Sequence, residues 1–163
     1  MARLVLTDAS PLIGLARVDG LAWLGALFNT VWMPLEVRQE VLSGSGGADE
    51  QLIRAAEAAG WLRVWPVVAP ELPVLPDLDE GESACIRIGV AHEGAALLLM
   101  DERAGRAVAL EHGLRVAGTA AVIGMARSRG LISSAREVFA RLHASDFRIS
   151  AEVIQTILRR VGE

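Results

Sequence analysis

The stretch RLVLTDASPLIGL, residues 3–15, decides how the chain is read. Its core, Leu4-Val5-Leu6, is apolar at every position, as a strand covered on both faces must be. It runs into Thr7 and a bare carboxylate, Asp8. Ser10 and Pro11 then read as the N-cap and first residue of a helix. An acid at such a junction could decorate a turn or be the first ligand of a metal site, and the remaining sequence has to decide between the two.

Outward from this stretch, apolar runs of strand length alternate with helical patterns. Strand-like runs cover residues 4–6, 31–33, 62–68, 96–100 and 114–117. Helical patterns cover 11–27, 34–42, 49–59, 80–91, 102–111, 119–129, 133–142 and 151–161. The stretch SGSGGA at 43–48 is a flexible connection, and four prolines (Pro66, Pro70, Pro73, Pro76) mark a loop. This alternation, with strands apolar on both faces, predicts an α/β fold: a central parallel sheet with helices on both sides, three layers in all. There is no internal repeat. Neither side of the proline loop owns a complete sheet, so residues 1–163 read as one domain, with an amphipathic helix at about 150–162.

The 163 residues suffice for a sizeable core. A composition 52% hydrophobic, with mean hydropathy +0.38, excludes a disordered chain. The apolar residues fall in short blocks, not in a membrane-length run, and residues 4–6 are too short for a signal core. One cysteine, Cys85, excludes an internal disulfide framework and a Cys-based zinc site. A soluble, cytoplasmic protein with no membrane partner is expected. The net charge of −4 and pI near 5.4 lack a strongly basic nucleic-acid footprint. All 16 basic residues are arginine. Without lysine, a Walker-type phosphate loop, a phosphoacceptor receiver domain and a Schiff-base enzyme are excluded. Arginine still binds phosphate with two prongs, so nucleic acid stays open.

The acids carry the chemistry. Ligands of an open parallel sheet bind beyond the carboxyl ends of its strands. Asp8 follows one buried strand and Asp101 follows the most hydrophobic one. Close carboxylates repel unless a proton or cation lies between them, and an all-oxygen set suits Mg²⁺ or Mn²⁺. Glu82 heads an inward stripe with Cys85, Ile86 and Gly89, at i, i+3, i+4 and i+7. Alternatively, Asp79 caps this helix and Glu82 reaches back to it. Glu40 borders the Val37/Val41 stripe, and Glu36, one turn earlier, could be the ligand instead.

With these residues in place the chain resembles a PIN domain, in particular the PIN-like bacterial and archaeal proteins related to VapC toxins. The resemblance rests on VLTDASPLIGLARV, MPLEVRQEVL, LDEGESACIRIG, LLLMDERAGRAVALEHGLRVAGTAAVIGMA and DFRISAEVIQTILRRVGE, which span nearly the whole chain. It implies a parallel sheet flanked by helices, an acidic pocket for Mg²⁺ or Mn²⁺, and RNA cleavage. Carried over motif by motif, the acidic set is Asp8, Glu40, Glu82 and Asp101. Relatives often carry two aspartates where this chain has Asp101 and Glu102, and alanine where it has Gly105.

One or two carboxylate-held ions would activate a water and neutralise charge developing on phosphate oxygens. Asp8 and Asp101 are expected as direct ligands, with Glu40 and Glu82 acting through water or orienting the attacking water. Glu102 and Thr119 are supporting candidates; Thr119 could equally be an ordinary helix cap. Arg103 and Arg106 are candidate phosphate contacts, or partners of Glu102 and Glu111. His92, His112 and His143 read as helix-terminal packing residues, and Cys85 as a small core residue. Trp23, Trp32, Trp61 and Trp65 read as packing on the sheet. The expected function is a Mg²⁺/Mn²⁺-dependent ribonuclease acting on RNA, as the toxin of a VapBC-like pair with a small antitoxin protein and as a homodimer. The rival is a catalytically inactive PIN-like module that binds RNA or protein.

Overall fold

A computed structural model describes residues 4–71, 74–93 and 95–163; Arg3 of the opening stretch and residues 72–73 of the proline loop lie outside them. In chain order the elements are β1 (Leu4–Thr7), α1 (Ala9–Ala16), α2 (Leu21–Phe28), β2 (Val31–Met33), α3 (Leu35–Val41), α4 (Ala48–Ala59) and β3 (Leu62–Val64). They continue with α5 (Glu80–Ala91), β4 (Ala96–Leu99), α6 (Arg103–Glu111), β5 (Arg115–Ala117), α7 (Thr119–Ser128), α8 (Ala135–Ala144) and α9 (Ala151–Arg160). The strands form one all-parallel sheet in the order β3-β2-β1-β4-β5, so the three-layer α/β/α arrangement read from the sequence stands.

The apolar runs explain the order. Leu4, Val5 and Leu6 of β1 and Leu98 and Leu99 of β4 are buried, and these two strands form the middle of the sheet. Each fully buried leucine contributes about 1.5–3 kcal/mol relative to exposure. From β1 the chain first builds toward β2 and β3, then returns through α5 to place β4 on the other side of β1. Right-handed crossovers therefore put α5 and α6 on the face opposite α1, α2 and α4. The β1/β4 boundary is the point where strand order reverses, the place where an open α/β sheet leaves a crevice. Register carries through to its end: Thr7 pairs with Leu99, and the Asp8 N–H donates to Leu99 O at 2.9 Å. Helices α8 and α9 pack on α7, so Ile157 and Leu158 of the tail close the core.

Three local readings change. The helix after β1 starts at Ala9 with Asp8, not Ser10, at the cap position; Pro11 is tolerated in the first turn because N–H groups there have no intrahelical partner. The helical run 11–27 is two helices meeting at 117°. The Asp19-Gly20 dipeptide breaks it: Asp19 is left-handed (φ 55°) and the Gly20 N–H closes back on Leu15 O at 2.8 Å. The strand expected over 62–68 stops at Val64, because Pro66 has no N–H to continue the ladder. Among the described residues no single helix is long and apolar enough to cross a membrane.

Candidate metal centre

Asp8, at the end of β1, and Glu82, in the first turn of α5, are each only 4% exposed. Among the described residues, Asp8 Oδ1 and Glu82 Oε1 are buried and have no hydrogen-bond partner. Asp79, the exposed N-cap of α5, joins them: one carboxylate oxygen from each of Asp8, Asp79 and Glu82 lies within 4.8 Å of the others. At an effective dielectric constant of about 20, two such charges repel by on the order of 3–4 kcal/mol.

Glu82 lies on the buried stripe of α5 and also closes the capping box of that helix. Asp79 Oδ1 accepts from the Glu82 N–H at 2.8 Å, and Glu82 Oε2 accepts from the Asp79 N–H at 3.2 Å, completing a capping box. The box uses one oxygen of each acid and leaves Glu82 Oε1 facing inward. Two glycines make room. A Cβ on Gly81 would sit 2.8 Å from Asp8 Oδ1, and one on Gly105 would sit 3.0 Å from Glu82 Oε1. Met100 Sδ, 2.8 Å from that position, and Glu82 Oε1 together fill the space beside Gly105.

Burial pushes the Asp8 carboxyl up to about 7; the Ala9 N–H offsets this in part, and the charges of Asp79, Glu82 and Glu40 add to it. Glu82 is raised first by burial, against the Asp79 N–H, and then by Asp79, Glu102 and Glu40. Glu40 is raised by burial and by Asp79. Exposed Glu40 is thus coupled to the cluster. Glu36 is half-buried with Oε2 unpartnered, and its charge reaches Cys85, whose thiol is pushed up mainly by burial. The one arginine of α3, Arg38, is held away in a two-pronged pair with Glu57 of α4 (2.8 and 3.2 Å). A hard divalent cation fits this set: only oxygen donors, two of them buried and unpartnered, with an excess of negative charge.

Asp101 is placed differently. Its Oδ1 accepts from the Thr119 N–H and its Oδ2 from Thr119 Oγ1, both at 2.7 Å, so both oxygens hold the start of α7. Thr119 is therefore the partner of Asp101. Glu102 carries charge toward Glu82 and also lines a cleft of about 860 Å³ between the starts of α6 and α7 and the α9 wall. Arg103, Arg106, Arg148 and Arg160 line the same cleft. Arg106 also donates to Met100 O at 3.1 Å.

Sequence reasoning took Asp79 only as a cap and did not single out Arg148 or Arg160. The capping-box spacing was visible, but the approach of α5 to β1 is not a local property. The histidines lie at helix ends: His92 and His112 follow α5 and α6, and His143 Nε2 is 3.1 Å from Ile149 O. The tryptophans are half-buried against the hydrophobic core, and Arg63 lies 4.9 Å over the Trp32 ring.

No curated protein and no solved structure shows significant similarity to the chain. The family model DUF3368, described as PIN domain, matches residues 4–163. PIN domains have a nuclease-type fold, and here that fold carries an acidic cluster able to hold a metal ion. The chain belongs to the PIN domain family.

Proposed function

We propose that the protein is a Mg²⁺- or Mn²⁺-dependent ribonuclease that hydrolyses phosphodiester bonds. The observation that carries this reading is the pair of buried, unpartnered oxygens, Asp8 Oδ1 and Glu82 Oε1, at the β1/β4 switch point. These two side chains would hold the cation. When bound, the cation lowers the pKa of a water and neutralises charge on the phosphate. Glu40, exposed and coupled to the same charges, accepts a hydrogen bond from the attacking water and orients it. Arg103, Arg106, Arg148 and Arg160 bind phosphates along the cleft, where they offset the acids Asp101, Glu102, Asp146 and Glu152 that also line it. Asp101 and Thr119 together fix α7 and hence the far wall of that cleft.

The family reading extends to a VapC-like toxin, cytoplasmic and homodimeric, restrained by a small antitoxin. Val153 of α9, 43% exposed, offers a contact for either partner. The binding-module reading is supported by the engagement of both Asp101 oxygens by Thr119. A folded-RNA pool incubated with the purified protein and Mn²⁺ separates the two. Cleavage that disappears with chelator and in Asp8→Asn is the expected result. RNA retained but uncut by Mn²⁺-loaded protein would favour the binding module.

A further inference from the structure

Trp32 and Arg63 are register partners on β2 and β3, so both side chains stand on the same face of the sheet. Val31 and Met33 point to the opposite face, where they are fully buried. The Trp65 N–H extends the ladder to Met33 O at 2.8 Å, and Trp65, two residues beyond Arg63, shares its face. Helix α5 packs against β1 and β4, and on the Trp32 side of β2 and β3 the cover is incomplete. Trp32 and Trp65 are half-buried there, and Arg63 and His92 are exposed.

These four side chains form one continuous group. The Trp32 and Trp65 rings meet edge to face at 5.3 Å, and Trp65 meets His92 in the same way at 5.2 Å. Arg63 Cζ lies 4.9 Å from the centre of the Trp32 ring. Arg17, Arg38, Arg127 and Arg141 are each paired with an acid. Among the described residues the Arg63 guanidinium makes no ion pair and is held over a ring instead. An exposed flat cation and an exposed imidazole, each backed by a tryptophan, are the groups on which unpaired nucleobases stack.

We propose that Trp32, Arg63, Trp65 and His92 form a platform that stacks an unpaired base of single-stranded RNA, a subsite separate from the acidic centre. The proposal rests on the ribonuclease reading and deepens it by naming unpaired RNA as the substrate. Glu82 lies in the first turn of α5 and His92 follows its last, about 15 Å away along the helix, so a strand lying beside α5 meets both.

The test is titration, in chelator, of a 2′-O-methyl oligoadenylate of about ten nucleotides and of an abasic oligomer of the same length. The proteins are wild type, Arg63→Lys and His92→Ala; both positions are exposed, and thermal melts confirm the folds. Lysine keeps the charge of Arg63 and removes the flat surface. The expected result is that each variant binds oligoadenylate about fivefold or more weakly than wild type and binds the abasic oligomer within about twofold of it. With Mn²⁺ and cleavable RNA, Arg63→Lys then raises KM and leaves kcat unchanged. Variants that lose nothing on oligoadenylate, or lose equally on both oligomers, overturn the platform, and Mn²⁺-dependent cleavage by the same variants leaves the ribonuclease reading standing. Base-dependent loss in a protein that cuts no RNA supports the platform and removes the ribonuclease reading alone. Folded wild type that binds neither oligomer overturns the platform and assigns this face to a protein partner.

Discussion

Asp8 and Glu50 are almost equally buried, at 4% and 5% exposure, and the fold treats them in opposite ways. Glu50 accepts the Gly44 N–H at 2.7 Å and the Gly46 N–H at 2.6 Å, and these bonds hold its carboxyl below the usual range. It closes the glycine-rich connection between α3 and α4. Asp8 has an oxygen with no donor among the described residues, and its carboxyl is pushed up to about 7. Where this chain needs a buried acid for structure, it supplies N–H groups. Where it leaves one bare, beside two further carboxylates, the set is one that a cation would fit.

The sharpest way to break this contrast is Asp8→Asn. It abolishes cleavage and Mn²⁺ binding while stabilising the metal-free fold near neutral pH. The direction follows from the shift. The unfolded chain loses the Asp8 proton near the ordinary aspartate value of 3.8 and the folded chain near 7, so wild-type stability falls as pH rises through that interval. Thermal melts of wild type and variant should converge near pH 4 and separate by up to ~4 kcal/mol near pH 7, about three pKa units at 1.36 kcal/mol each. Wild type remaining the more stable at pH 7 would show that Asp8 is satisfied in the fold.

Gly81→Ala tests the same acid from the backbone side. Its new methyl would meet Asp8 Oδ1 at 2.8 Å and Val37 Cγ2 at 3.1 Å. A loss of about 1–3 kcal/mol of stability, typical of overpacking, is expected with a roughly tenfold weaker Mn²⁺ affinity. An unchanged titration would mean the pocket has slack. Arg148→Ala and Arg160→Ala leave Mn²⁺ binding intact and weaken RNA binding, each lowering the salt-dependence slope by about one; filter binding across a salt series measures this. The smallest effect on function belongs to Glu50→Gln. It lowers the melting temperature, most clearly above the ordinary carboxylate pKa where the wild-type side chain is charged, and leaves Mn²⁺ affinity within twofold.

What the sequence revealed followed locality. The strands of the sheet were legible because residues 4–6 and 96–100 are apolar without alternation, and the position of Asp8 beyond β1 followed at once. The helical pattern read over 11–27 is interrupted at Asp19-Gly20, where a two-residue turn signal outweighs a continuous apolar pattern. Asp79 and Glu82 were legible as a cap, since the box depends on a three-residue spacing. Their convergence on Asp8 depends on α5 packing beside β1 after a long connection, and no spacing encodes that. Asp101 stands at the matching strand end, yet Thr119, 18 residues on, takes both its oxygens. Arg148 and Arg160 come to the cleft only because α9 folds back on α7.

The most direct measurement is a crystal of the protein grown or soaked with Mn²⁺ and read by anomalous scattering. An anomalous peak about 2.1 Å from Asp8 Oδ1 and Glu82 Oε1, the bond length of a small hard cation to oxygen, is the expected result. Density showing both oxygens bonded to protein groups, or Mn²⁺ bound elsewhere while they stay unligated, would contradict it.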